Sequence, residues 1–150
     1  MSELRELYQE VILDHNRNPR NFKALDPHSH HASGHNPLCG DKLELYLRIE
    51  SGIISDISFV GSGCAISTSS ASLMTQFLKG KTLVEARTYF ESFHDLVTGT
   101  ALSDYDLEKL GKLAVFAGVQ EFPARIKCAS LSWHTLMNAL EEKDEAAQTE

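Results

Sequence analysis

Along the first twelve residues Leu4, Leu7, Tyr8, Val11 and Ile12 recur at intervals of three and four with charges between them, which predicts an amphipathic helix. Asn16, Asn18 and Pro19 are breakers, and a residue before proline is driven out of the helical region, so the helix is expected to end between Asp14 and Asn18. From there to Cys39 the chain is rich in His, Ser, Pro and Gly and reads as irregular. Leu43, Leu45, Leu47 and Ile49 then alternate with Lys42, Glu44, Tyr46 and Arg48, the period of a strand buried on one face. Ser51-Gly52 is a turn, and the β-branched run from Ile53 to Val60 completes an antiparallel hairpin.

Beyond Gly61 and Gly63, small residues from Ala65 to Ser72 lead into Leu73, Met74, Phe77 and Leu78, a helix that Lys79-Gly80 closes. Thr82 with Glu85 has the spacing of a capping box for a helix carrying Leu83, Ala86, Tyr89, Phe90 and Phe93, with a loop expected over His94 to Thr100. Ser103 with Asp106 marks another start, with Leu107, Leu110, Leu113 and Ala114 on one face. Phe122-Pro123 reads as a break before a last amphipathic helix that begins near Cys128 and carries Leu131, Trp133, Leu136, Met137 and Leu140. After Glu141 the chain turns charged and polar, and about the last eight residues are expected to lack fixed structure. No repeat or linker interrupts residues 1–150, so the expectation is a single α+β domain.

Composition narrows the class. At 150 residues, 42% hydrophobic and 23% charged, the chain buries a core without help from metal or disulfides. No apolar run approaches a bilayer's thickness, and the acidic start Met1-Ser2-Glu3-Leu4-Arg5-Glu6 is unlike a signal peptide, so a cytoplasmic protein without membrane insertion is expected. A net charge of -7 with scattered basic residues argues against a nucleic-acid partner. Three cysteines in such a chain point to metal or redox chemistry rather than a disulfide framework.

The cysteines occupy Asn36-Pro37-Leu38-Cys39-Gly40-Asp41, Gly61-Ser62-Gly63-Cys64 and Arg125-Ile126-Lys127-Cys128. Cys39, Cys64 and Cys128 with Asp41 make four candidate ligands of the sort that fill a tetrahedral zinc site. The hairpin brings Cys39 and Asp41 to the same sheet edge as Cys64, and Cys64 falls at a helix N-terminus, where free amides and the helix dipole favour a thiolate. Cys128 is expected at a second helix N-terminus. His28, His30, His31 and His35 offer further donors, but the thiols and Asp41 already complete the set, so these histidines read as solvated; His35 lies nearest to Cys39. Arg125 and Lys127 flank Cys128 as candidates for depressing its pKa or steering a sulfur anion.

These residues carry a resemblance over nearly the whole length. Leu7-Tyr8 through Val11-Ile12 to Asp14-His15, Asn18-Pro19-Arg20-Asn21, Asn36-Pro37-x-Cys39-Gly40-Asp41, Gly63-Cys64-x-Ile66-Ser67 and Phe122-Pro123-Ala124-Arg125-Ile126-Lys127-Cys128 are similar to the NifU/IscU-like iron-sulfur cluster assembly family. Within it the chain most resembles the SufU branch. Lys127 stands where IscU scaffolds have histidine, and Thr98 to Val119 corresponds to the SufU insertion. The resemblance implies a small antiparallel sheet with helices packed mostly on one face, and a zinc-dependent sulfurtransferase. Zinc (Zn2+) would be held by Cys39, Asp41, Cys64 and Cys128; Cys39 would accept persulfide sulfur from a pyridoxal-phosphate-dependent cysteine desulfurase of the SufS type, with Arg125 in support. A downstream iron-sulfur assembly scaffold would receive that sulfur.

Zinc suits sulfur transfer on such ligands because it holds thiols deprotonated and has no redox chemistry of its own to consume the sulfur. Cys39, on a loop beside Gly40, is the expected acceptor. Two rivals share the donors: a scaffold that assembles a [2Fe-2S] cluster, and a purely structural zinc site.

Overall fold

The computed structural model describes residues 2–142 and 147–148, the first six of them by backbone alone. Helix α1 spans Ser2–Arg17. The side chains of Leu4 and Leu7 lie outside the described residues, while Tyr8, Val11 and Ile12 pack against the core as the periodicity requires. Strand β2 spans Asp41–Glu50 and β3 spans Ile53–Ser62, paired antiparallel with Leu45 opposite Phe59 and Lys42 opposite Ser62. The alternation predicted for β2 is the alternation found: Leu43, Leu45 and Leu47 are buried, whereas Lys42 is exposed.

The segment read as irregular contains a third strand, β1, over His30–Asn36. Its inward positions are Ala32, Gly34 and Asn36, two small residues and one polar, so hydropathy gives no signal there. Pairing with β2 makes the strand, with Ala32 opposite Leu45 and Asn36 opposite Asp41. Of the tail, Ala147–Gln148 form a short strand, β4, parallel to β1 at Gly34 and His35, with Ala147 buried. The rest of those last eight residues lie outside the described residues. The sheet order is β3-β2-β1-β4.

Helices α2 (Ala65–Leu78) and α5 (Pro123–Leu140) cover the inward face of this sheet. Helix α3 (Leu83–Thr98) packs outside them, its Phe93 ring stacked on Trp133 of α5 at 4.7 Å. The Thr82–Glu85 capping box is present. The helix runs through the stretch read as a loop and stops only at Gly99, whose left-handed backbone (φ 85°) ends it. Ser103 caps α4 (Asp104–Leu110), and Gly111–Glu121 continue as a 3-10 segment that buries Leu113, Val115, Phe116 and Val119. Pro123 opens α5 instead of breaking the chain, because proline has no N–H to lose at a helix's first position and its φ is already helical.

Candidate metal centre

The site lies where β1, β2, the β3–α2 junction and α5 meet. Pro37 to Gly40 form the turn joining β1 to β2, with the Asn36 carbonyl accepting from the Cys39 and Gly40 amides at 3.3 and 2.8 Å. Gly40 turns the chain through a left-handed backbone (φ 74°), which leaves the Cys39 thiol exposed at the tip. Two residues on, the strand has begun and Asp41 points inward, fully buried.

Asp41 is held at both oxygens. Oδ1 accepts from the Cys64 backbone N–H at 2.9 Å and Oδ2 from Asn36 Nδ2 at 3.2 Å. Gly63 makes the first contact possible, since a Cβ there would stand 2.6 Å from Oδ1. Cys64 is the N-cap of α2, its sulfur accepting from the Ser67 amide at 3.4 Å, as its sequence position predicts. Cys128 comes from the opposite side, buried at 4% exposure, and its thiol donates to Cys39 Sγ at 3.5 Å.

Ligand atoms of Cys39, Asp41 and Cys128 lie within 4.8 Å of one another, the one such group of three or more His, Cys, Asp or Glu side chains among the described residues. Cys64 is outside that group, committed to its cap, though near enough to Cys128 for its charge to act on it. The fit to zinc is testable on the geometry. Two sulfurs at 2.3 Å from a tetrahedral zinc stand about 3.8 Å apart, and Cys39 and Cys128 stand at 3.5 Å. Sulfur and carboxylate are also the donor types zinc takes, so the residues fit.

Cys128 departs from its expected setting. Because α5 starts at Pro123, Cys128 sits in the second turn, past the reach of the helix dipole. Burial pushes its thiol pKa up, with the hydrogen bond to Cys39 and the charge of Cys64 adding to it. Such a thiol gives up its proton to a cation placed against it. Arg125, three residues earlier on α5, is exposed, its guanidinium 4.5 Å above the Phe122 ring. It lines a cleft of about 530 Å³ with Tyr8, Ile12 and Ile66.

None of the four histidines reaches the site. His35 lies on the sheet face opposite to Asn36, since neighbours on a strand point to opposite sides. His31 Nε2 is 2.8 Å from Glu44 Oε1, His30 Nε2 is 3.4 Å from Glu142, and His28 Nδ1 is 2.8 Å from the Leu25 carbonyl. Asn36 heads the motif that carries Cys39 and Asp41, but its residue type does not mark it as part of the site. The signal was its distance from Asp41, which places the two opposite each other once the intervening residues form a turn.

The chain has relatives among known proteins. Residues 7–129 match the family model of the NifU-like N-terminal domain. The chain is 41% identical over 138 residues to the zinc-dependent sulfurtransferase SufU of Bacillus subtilis, covering 92% of each protein. It is 36% identical to the iron-sulfur cluster assembly scaffold protein IscU of Streptococcus pyogenes, over 97% of this chain and 90% of that one. The crystal structure of the FiSufU protein of Fervidobacterium islandicum superposes with a TM-score of 0.82 at 31% identity, over 87% of this chain and 94% of that one. The α+β fold is shared with that structure. No helix among the described residues is long and apolar enough to cross a membrane.

Proposed function

We propose, from the premise that this chain belongs to the NifU-like N-terminal domain family, that it is a zinc-dependent sulfurtransferase of iron-sulfur cluster assembly. It takes sulfur from the persulfide of a cysteine desulfurase in the cytoplasm and hands it to a downstream assembly scaffold. The observation that carries this reading is the contrast within the donor set: Cys39 and Cys64 are exposed, but the Cys64 sulfur is engaged by the Ser67 amide at a helix cap while Cys39 stands on a turn, and Asp41 and Cys128 are buried on a strand and a helix. Cys39 on its turn can meet a partner protein while the buried Asp41 and Cys128 stay fixed.

Cys39, Asp41 and Cys128 would hold the zinc, with Cys64 as the fourth ligand once its sulfur leaves the Ser67 amide. When bound, it keeps thiols deprotonated without oxidising them. The residues of the chain do the rest. The Cys39 thiolate attacks the outer sulfur of the desulfurase persulfide, a new S–S bond forms on Cys39, and the donor's S–S bond breaks. The electron pair of the broken bond leaves on the desulfurase cysteine as thiolate, so no external oxidant or reductant is consumed. Arg125, three residues from Cys128 on α5, supplies a positive charge for the incoming anion.

The scaffold reading retains support from the 36% identity to the IscU scaffold proteins of Streptococcus pyogenes and Thermotoga maritima, across 97% and 91% of the chain, and from the FiSufU structure, whose name assigns it a scaffold role in the SUF system. Lys127 counts against it, because an ammonium at the position before Cys128 has no lone pair to offer a metal. The test is to mix the zinc-loaded and metal-free protein separately with a cysteine desulfurase, follow alanine release and map the persulfide by mass spectrometry. Faster turnover with zinc and label on Cys39 is the expected result. Blocked turnover with zinc, together with a transferable cluster formed on iron loading, would overturn it in favour of the scaffold.

A further inference from the structure

We infer that Asn36 is the positioning residue of this metal centre, its amide holding the Asp41 carboxylate and the Cys128 sulfur in their ligating arrangement. The inference deepens the zinc reading above and rests on it. Asn36 is fully buried, and the antiparallel register sets it directly opposite Asp41 at the mouth of the Pro37 to Gly40 turn. Its Nδ2 has two hydrogens and two acceptors: Asp41 Oδ2 at 3.2 Å and Cys128 Sγ at 3.7 Å. A single neutral group on β1 thus ties together one candidate ligand from β2 and another from α5. The Cys64 amide holds the other oxygen of Asp41, so the carboxylate is pinned from both sides.

The other end of the amide adds no hydrogen bond to the fold. Asn36 Oδ1 is buried without a hydrogen-bond partner. Turning the amide over would satisfy nothing, since it would aim the oxygen at a carboxylate and a sulfur. Leucine has the same branching and carries no polar atom to strand, so packing alone favours leucine on a strand whose other inward positions are Ala32 and Gly34. What asparagine adds is the donor. Groups that hydrogen-bond a metal's ligands orient them, and their loss typically costs about 10–100-fold in metal affinity.

The experiment is chelator-competition titration of zinc into wild type, Asn36→Leu and Asn36→Ala, with cobalt-substituted spectra and the melting temperature of each apo-protein. The expected result is a zinc Kd raised about 10–100-fold in both variants, with altered cobalt bands and an apo-Asn36→Leu that melts no lower than wild type. Zinc affinity and cobalt spectra equal to wild type in either folded variant would overturn the assignment. So would zinc loss that appears only in variants whose apo-protein is already unfolded. If wild type itself binds no zinc, the zinc reading falls instead; if wild type binds and Asn36→Leu binds equally, only the role of Asn36 falls.

Discussion

Two buried polar clusters hold this protein's segments together, and they differ in how their donors and acceptors balance. One clamps the end of α1 to α2. Ser72 Oγ accepts from the Arg20 amide at 2.8 Å and shares a hydrogen bond of 2.7 Å with His15 Nδ1. Thr75 Oγ1 accepts from Asn21 Nδ2 at 3.1 Å and donates to the Ser72 carbonyl at 2.8 Å. Neither hydroxyl is left without a partner. The other cluster, Asn36, Asp41 and Cys128, gathers acceptors around too few donors and strands Asn36 Oδ1. A balanced cluster is complete by itself and serves the fold. A cluster that sets a carboxylate beside two sulfurs offers a cation its donors as well, which the clamp's hydroxyls and single imidazole do not.

That contrast can be broken by experiment. The largest effect is expected at Cys39→Ser, which should reduce sulfur acceptance to background in the desulfurase assay. Stability should shift by no more than about 0.5 kcal/mol in urea unfolding, because the side chain is exposed. Asp41→Ala should weaken zinc binding by more than the ~100-fold that loss of an outer partner reaches, measured by chelator competition. Ser72→Ala should do the reverse. It leaves His15 Nδ1 and the Arg20 amide unpaired, costing about 1–3 kcal/mol of stability, with zinc affinity unchanged. If Ser72→Ala weakens zinc as Asp41→Ala does, the two clusters are not separate.

The smallest effect is a pH dependence from the clamp. Burial lowers the pKa of His15 from its ordinary 6.5, with the Arg20 and Lys112 charges acting the same way against Asp14. The unfolded chain therefore takes up the proton first as pH falls, so the clamp's contribution is complete above about pH 6.5 and is lost as pH drops through the lower folded value. The pKa of half-buried His134 on α5, lowered by its partial burial and by His94, adds a slope of the same sign. Urea midpoints of His15→Gln against wild type between pH 7.5 and 5 should show a shallower acid loss in the variant. Parallel curves would remove His15 as a source of the slope.

The clamp also shows where a sequence stops being legible. His15 and Ser72 are far apart in the chain and neither interrupts a periodic pattern, so nothing before the fold marks them as partners. The same holds for β1, whose inward residues Ala32, Gly34 and Asn36 carry no hydrophobic alternation. By contrast the β2–β3 hairpin was readable, because one face buries leucines and the other bears charges. So were the caps at Cys64, Thr82 and Ser103, because capping is decided within four residues.

By itself, the sequence determined the local elements and the chemistry available to them: the amphipathic helices, the hairpin, the caps, and a donor set of three thiols and one carboxylate. The tertiary structure decided which donors meet and in what surroundings. It recruited a polar stretch as β1 because β2 offered an open edge, carried α3 through to Gly99, and started α5 five residues ahead of Cys128. It also left Cys39 exposed beside a buried Asp41, and set Asn36 between Asp41 and Cys128. Helix and hairpin signals come from neighbours within a few residues, whereas burial and hydrogen-bond balance depend on segments that meet only in the folded chain.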